Sequence, residues 1–247
     1  MSLPRIAVDA MGGDEGVRVM VEGAALARRR HENFSFLLMG DSARIERALE
    51  NHPGLAGAAE IRHCEDVIAG EDKPSQALRR SKGTSMGEAV AAVKRGEAGA
   101  AVSAGNTGAL MLLSMVRLRK LPGVNRPAIA VLWPSKNPQG FNVMLDVGAD
   151  IRADADDLLK YALMGASYAR NGLSLERPRV GLLNVGTEEH KGRPELKQAH
   201  ELISEAAEDN NFEFVGFAEG VGFVAVLTAV YLAFVPATDR AKSAQGC

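Results

Sequence analysis

Short apolar runs alternate along the chain with longer stretches in which apolar residues recur every three or four positions. The short runs have the length of strands, and the longer periodic stretches are typical of amphipathic helices. This alternation predicts βα units around a parallel sheet. The predicted strands are Arg5–Val8, Phe34–Met39, Ala59–His63, Ala100–Ser103, Ala128–Trp133, Asn142–Asp146, Arg179–Leu183 and Phe212–Gly216. The predicted helices are Glu15–Arg29, Ser42–Glu50, Met86–Arg95, Thr107–Arg119, Ala155–Asn171 and Pro194–Glu208.

Polar residues mark the starts of several predicted helices. Asp41, Ser85 and Asp154 each precede a helix, where a side-chain oxygen can accept a hydrogen bond from an unpaired backbone amide. Asp156 and Asp157 follow in the first turn of the fifth helix, where negative charge is favourable. We expect the three residues to be helix caps.

One connection breaks the parallel pattern. Only the segment "PSKNPQG" joins strands Ala128–Trp133 and Asn142–Asp146. A parallel pair needs a much longer crossover, so this Pro/Gly-rich link predicts an antiparallel hairpin inside an otherwise parallel sheet. No internal repeat and no clean domain boundary stand out.

Composition narrows the class of protein. The 247 residues carry 29 Lys and Arg against 31 Asp and Glu, so no net field attracts nucleic acid, and a charged partner must meet a local patch. Cys64 and Cys247 form neither a disulfide framework nor a metal-ligand spacing. The start lacks the apolar run of a secretory signal. We expect a cytoplasmic protein without a bound metal.

The turn after the first predicted strand, "VDAMGGD", is rich in residues that suit a ligand site. In doubly wound sheets the ligand lies at the carboxyl ends of the strands. Asp9 ends the strand, Gly12 and Gly13 permit close backbone approach, and Asp14 is placed to cap the next helix. An ordinary tight turn explains the same residues.

A second turn, "SAGNTG" at 103–108, leads from a strand into an apolar helix. After Ser103, the small residues Ala104 and Gly105 let the backbone curl, and Asn106 or Thr107 can cap the helix. The first amides of that helix then point into the turn, which favours phosphate or another anion. A cap without a ligand is the alternative.

Two charged segments have both an ordinary and a functional interpretation. In "NVGTEEHKGRPE" the run Glu188–Lys191 is typical of a solvated loop, but His190 and Lys191 beside an anion site would neutralise phosphate or a developing oxyanion. In "EDKPSQALRRSKG", Arg79, Arg80 and Lys82 would be an exposed helix end or a patch for an acidic partner.

The order and the residues of these segments resemble the sequences of one family. The blocks "VDAMGGD", "DKPSQALR", "SAGNTGAL", "RPAIA", "DVGAD" and "GLLNVGTEEHKG" are similar to the signature blocks of bacterial phosphate acyltransferase, over residues 5 to about 220. The resemblance implies a three-layer, mostly parallel α/β sheet of the isocitrate/isopropylmalate dehydrogenase-like, phosphotransacetylase-related type. It also implies a homodimer that uses no cofactor.

The implied reaction transfers a fatty acyl group from acyl-acyl-carrier protein to inorganic phosphate, giving acyl phosphate for phospholipid synthesis. A membrane glycerol-phosphate acyltransferase would consume the product, which implies peripheral contact with the inner face of the membrane. Phosphate is itself the nucleophile, so no Ser-His-Asp arrangement is required.

The resemblance assigns roles to the turn residues. Asp9 and Asp14 organise the loops, because a carboxylate would repel a bound dianion. Docking of the acidic carrier protein falls to Arg79, Arg80 and Lys82. The residues expected to hold phosphate or acyl phosphate are Ser103, Gly105, Asn106, Thr107, Gly12 and Gly13. The residues expected to be catalytic are Lys191, His190 and Asn106.

The sequence departs from the family pattern after Gly220. This departure predicts a family-like domain at 1–220 and an atypical apolar tail at 221–247. The family continues with an Asp-Gly-Phe-Thr-Gly-Asn block that this sequence lacks, which favours a truncated or frameshifted reading over a genuine variant. The uncharged run Val221–Val235 is shorter than the ~20 residues of a membrane span. A phosphotransacetylase acting on acyl-CoA and an inactive remnant that binds carrier protein or acyl phosphate are the alternatives.

Overall fold

The protein divides into two compact units, Met1–Pro122 and Gly123–Cys247, a division that its composition does not reveal. The structure is a computed structural model, and it describes residues 3–120, 122, 124, 127–134, 141–146, 153–184, 194–219 and 232–235. Every predicted strand and helix is present, with its ends within three residues of the prediction.

The first unit is built on a four-stranded parallel sheet with the spatial order β3-β2-β1-β4. Its strands are β1 (Arg5–Asp9), β2 (Ser35–Gly40), β3 (Ala59–His63) and β4 (Ala100–Val102). Its helices are α1 (Gly16–Arg30), α2 (Ser42–Leu49), α3 (Pro53–Ala56), α4 (Pro74–Arg80), α5 (Ser85–Lys94) and α6 (Thr107–Leu118). The sequence did not predict α3 and α4, which are too short to show a helical period.

Both faces of this sheet are covered, as expected where helices connect parallel strands. On one face, the alternate residues Leu37 and Met39 pack with Ala89 and Ala92 of α5. On the other face, Leu38 packs in the cluster that α1 and α2 close. The alternation places successive side chains of one buried strand in two separate cores.

Two of the three predicted caps are confirmed, because the side chains of Asp41 and Asp154 each accept a backbone amide of their helix. The prediction for Ser85 is wrong. Thr84 has the extended backbone of a cap, and its Oγ1 accepts the amide of Gly87 at 3.1 Å, which leaves Ser85 as the first helical residue. Asp14 does not cap α1 either, since α1 begins after Glu15 without a side-chain cap.

The second unit contains a mixed five-stranded sheet with the order β5-β6-β9-β7-β8. The predicted antiparallel hairpin is confirmed as the pair β5–β6, but its predicted place inside an otherwise parallel sheet is wrong, because it belongs to this separate sheet, where the described pairs are antiparallel except β7 with β8. The last strand, β9, comes from the tail and runs antiparallel to β6 and β7. The strands are β5 (Ala130–Pro134), β6 (Phe141–Leu145), β7 (Arg179–Asn184), β8 (Glu213–Glu219) and β9 (Leu232–Val235). The helices are α7 (Ala155–Leu173) and α8 (Pro194–Ala206).

The core of the second unit lies between its sheet and the two helices. Tyr161 of α7 and Ile203 of α8 are fully enclosed with Leu182 of β7 and Phe212. Neither α7, α8 nor any other helix in the described ranges is long and apolar enough to cross a membrane.

A cluster of ion pairs joins β3 to the end of α5. The Glu97 carboxylate lies 2.6 Å from a guanidinium nitrogen of Arg62 and 2.8 Å from Nε of Arg95. Hydrogen bonds from Arg95 and then Arg62 hold the pKa of Glu97 at about 2, below its ordinary 4.5.

This lowered pKa predicts a stability change in acid. Because the folded state favours ionised Glu97, the contribution is complete above the unfolded pKa of 4.5 and is lost as pH falls toward about 2. Urea unfolding should therefore separate wild type from Glu97→Gln at neutral pH and bring their midpoints together in acid. Glu46→Gln, on the exposed face of α2, is the control and should show no such convergence. A constant gap for Glu97→Gln across this range would contradict the prediction.

Candidate functional site

The turns after β1 and β4 are tied together at the carboxyl edge of the first sheet. Asp9 ends β1 with only 1% of its surface exposed. Its Oδ1 accepts the amide of Met11 at 3.2 Å, and its Oδ2 accepts the hydroxyl of Ser103 at 2.7 Å. A buried carboxylate needs such donors. Asp9 therefore organises both loops, as the sequence predicts.

Gly12 lies where these two turns meet. A Cβ at this position would be 2.6 Å from Oδ2 of Asp9, and 2.9 Å from both the amide nitrogen of Gly105 and Oγ of Ser103. No real side chain tolerates such contacts. The predicted close approach of backbone at Gly12 is confirmed, and the neighbour that it approaches is the second turn of the site.

The hydroxyl of Ser103 and the amide of Gly105 already have hydrogen-bond partners within the protein. The amide of Gly105 donates to Oγ of Ser103 at 3.0 Å, and that hydroxyl in turn donates to Asp9. A phosphate would have to compete with these bonds for either group. Their predicted role as direct ligands stays a prediction, whereas their role in shaping the turn is visible.

The start of α6 leaves two amides available. Asn106 is the cap: its Oδ1 accepts the amide of Ala109 at 2.9 Å, and its carbonyl accepts the amide of Leu110 at 2.9 Å. The amides of Thr107 and Gly108 meet no acceptor within the described ranges. Unpaired N–H groups at the positive end of a helix attract anions. The start of α6 therefore offers two unpaired amides, and anion binding there stays a prediction.

The other end of the Asn106 side chain makes a tie that sequence reasoning missed. Its Nδ2 donates to the carbonyl oxygens of Ala69 at 3.3 Å, Gly70 at 2.8 Å and Asp72 at 2.8 Å. We call residues 69–72 the tethered loop. The one signal in the sequence is that asparagine, unlike serine or threonine, keeps an NH₂ group to donate after capping.

The tethered loop leads directly into α4, which rests on the start of α6. A Cβ at Gly108 would lie 2.9 Å from Cγ of Pro74, the first residue of α4. At its other end α4 presents the predicted docking residues Arg79 and Arg80, with Lys82 just beyond, all exposed. Arg80 also pairs with Asp72 at 2.9 Å. The structure brings this patch near the turn at 103–108, where the sequence predicts an anion.

Three further predicted residues are either outside the described part of the chain or exposed. His190 and Lys191 are outside the described residues. Asp14 is exposed. Burial raises the pKa of the Cys64 thiol to about 11, so it stays protonated at neutral pH and is no nucleophile. Among the residues with a described position, no group of three or more His, Cys, Asp and Glu could hold a metal ion.

Solved structures define the class of fold. The chain is similar to EutD phosphotransacetylase from Staphylococcus aureus, with a TM-score of 0.60 and 17% identity, over 88% of this chain and 69% of that one. It is also similar to a phosphotransacetylase from Streptococcus pyogenes, with a TM-score of 0.59 and 16% identity, over 85% of this chain and 67% of that one. The predicted phosphotransacetylase-related α/β class is confirmed.

Sequence similarity then gives the family. The model of the family described as "Fatty acid synthesis protein" matches residues 4–233, so the chain belongs to that family. The phosphate acyltransferase of Paracoccus denitrificans is 66% identical over 215 residues, 87% of this chain and 58% of the relative. The phosphate acyltransferase of Ruegeria sp. (strain TM1040) is 64% identical over 87% of this chain and 57% of the relative. The chain thus spans somewhat more than half the length of these relatives.

The packing at Gly12 predicts a large effect of one methyl group. Gly12→Ala should lower the free energy of unfolding by about 1–3 kcal/mol, because the two turns must separate to admit a Cβ. Urea unfolding measures the change. Gly23→Ala in α1, where nothing lies within 4 Å of the added atom, is the matched control and should be neutral or stabilising. Equal midpoints for Gly12→Ala and wild type would contradict the packing.

Proposed function

We propose that the protein catalyses transfer of a fatty acyl group from acyl-acyl-carrier protein to inorganic phosphate. A phosphate oxygen attacks the thioester carbonyl, the carbon–sulfur bond breaks, and acyl phosphate and the free carrier thiol leave. The observation that carries the proposal is 66% identity to the phosphate acyltransferase of Paracoccus denitrificans. The family, described as fatty acid synthesis protein, agrees with an acyl substrate.

We place phosphate at the start of α6. The amides of Thr107 and Gly108 are unpaired there, and the helix contributes its positive end. The nearby carboxylate of Asp9 faces two donors of its own, the amide of Met11 and the hydroxyl of Ser103. These two hydrogen bonds offset part of its negative charge and so reduce its repulsion of a bound dianion.

The charge that grows on the thioester carbonyl oxygen needs a donor in the transition state. We assign this role to Lys191, with His190 beside it. Both residues follow β7 in the sequence. Strand β8 pairs with β7 in the second unit.

The exposed cations Arg79, Arg80 and Lys82 support a docking surface for the acidic carrier protein. Attraction between exposed charges weakens with added salt. The near-neutral whole-chain charge makes a local patch of this kind necessary for such a partner. We further propose a cytoplasmic homodimer that meets the inner face of the membrane peripherally, where a membrane glycerol-phosphate acyltransferase would use the product.

The reaction is tested by measuring acyl phosphate formed from phosphate and either acyl-acyl-carrier protein or acyl-CoA. Both the 247-residue chain and a chimera extended with the remaining carboxyl-terminal region of the Paracoccus relative are assayed. We expect the chimera to turn over the carrier thioester in preference to the CoA thioester. Preference for acyl-CoA would favour a phosphotransacetylase, and binding without turnover in both proteins would favour a remnant.

The role of Lys191 predicts a selective loss of rate. Lys191→Ala in the active chimera should lower kcat by on the order of 10²-fold, since a donor to the developing oxyanion is lost. The apparent affinity for carrier protein should change little. Lys197→Ala, an exposed lysine of α8, is the matched control and should leave kcat unchanged. A wild-type kcat in Lys191→Ala would return residues 188–191 to a solvated loop.

A further inference from the structure

The side chain of Asn106 has no hydrogen-bond donor left for a ligand. Its oxygen caps α6 through the amide of Ala109, and its two N–H protons are shared among the three carbonyl oxygens of the tethered loop. A phosphate could accept a hydrogen bond from this NH₂ group only by displacing the loop. The contacts therefore argue against a direct catalytic role for the Asn106 side chain.

Three carbonyl oxygens converge beside the start of α6, and this arrangement is unfavourable for an anion. Each carbonyl presents the negative end of its dipole, so together they would repel a phosphate bound at Thr107 and Gly108. The NH₂ group of Asn106 supplies the positive partner that all three share. A single side chain thus caps the helix and neutralises the loop that crosses its start.

The tethered loop also has a shape of its own that the tie preserves. The amide of Ala69 donates to Oδ2 of Asp72 at 3.0 Å, and the amide of Asp72 donates to the carbonyl of Ala69 at 3.2 Å. Pro74 follows after Lys73 and packs against Gly108. The loop is consequently held on both sides of Asp72, by the Asn106 tie and by the start of α4.

From these contacts we infer that Asn106 is a positioning residue, which holds the tethered loop across the start of α6 and offsets the negative ends of its three carbonyl oxygens beside the proposed phosphate site. The inference rests on the phosphate site proposed above. It differs from a simple cap, which needs only the side-chain oxygen, and from a direct ligand, which needs a free N–H.

Two substitutions separate these roles. Asn106→Ser keeps a good capping oxygen but removes the NH₂ donor. Asn106→Asp keeps the cap and places a carboxylate oxygen against the three carbonyls. Phosphate affinity of the 247-residue chain is measured by titration calorimetry with inorganic phosphate. Hydrogen exchange of the Ala69 and Asp72 amides reports the shape of the tethered loop, and thermal unfolding reports global stability.

We expect phosphate affinity to fall by about tenfold in Asn106→Ser and further in Asn106→Asp, since the three converging carbonyl oxygens lose their shared donor. The Ala69 and Asp72 amides should exchange faster in both variants at temperatures where the chain stays folded. Asp154→Ser, which exchanges one capping oxygen for another at the start of α7, is the control and should change neither measurement.

Three outcomes would overturn the inference. Wild-type affinity in Asn106→Ser would show that the cap alone matters. Weaker phosphate binding with unchanged exchange of the loop amides would make Asn106 a direct ligand. Faster exchange throughout the first unit would mean that the variant loosens the whole fold. A wild-type chain that binds no phosphate would instead contradict the proposed phosphate site, and the exchange data would still decide whether Asn106 holds the loop.

Discussion

The site depends on one buried hydrogen bond, from the hydroxyl of Ser103 to the carboxylate of Asp9. An ionised group this deeply enclosed is costly unless donors surround it, so the bond fixes where the turn after β4 must lie. Gly12 makes the arrangement possible, because any side chain there would separate the partners. The position of α6 follows, since its first residues continue directly from this turn.

The polar side chains of the site serve mainly to hold backbone in place. Asp9, Ser103 and Asn106 are each paired within the protein, whereas the main-chain amides of Thr107 and Gly108 have no partner among the described residues. Backbone donors at a helix start suit phosphate because they are rigid and need no charge of their own. Residue types that look like ligands in a sequence can thus be the supports of a backbone site.

Structure and sequence similarity answer different questions about this chain. The phosphotransacetylase structures share its fold at 16–17% identity. An identity this low shows a common architecture and nothing about function. The phosphate acyltransferases share 64–66% of their residues with it over 215 positions, and the family match covers residues 4–233.

The sequence by itself determined the βα order, the antiparallel hairpin and the presence of a cap at the start of α6, because periodicity and capping are local properties. It left the α6 cap open between Asn106 and Thr107, and it put the α5 cap at Ser85 instead of Thr84, since adjacent polar side chains can both cap and backbone geometry decides between them. Only the tertiary structure divided the strands between two sheets and paired Asn106 with the tethered loop. Those contacts join residues far apart in the chain, and their partners are chosen by packing rather than by any local pattern.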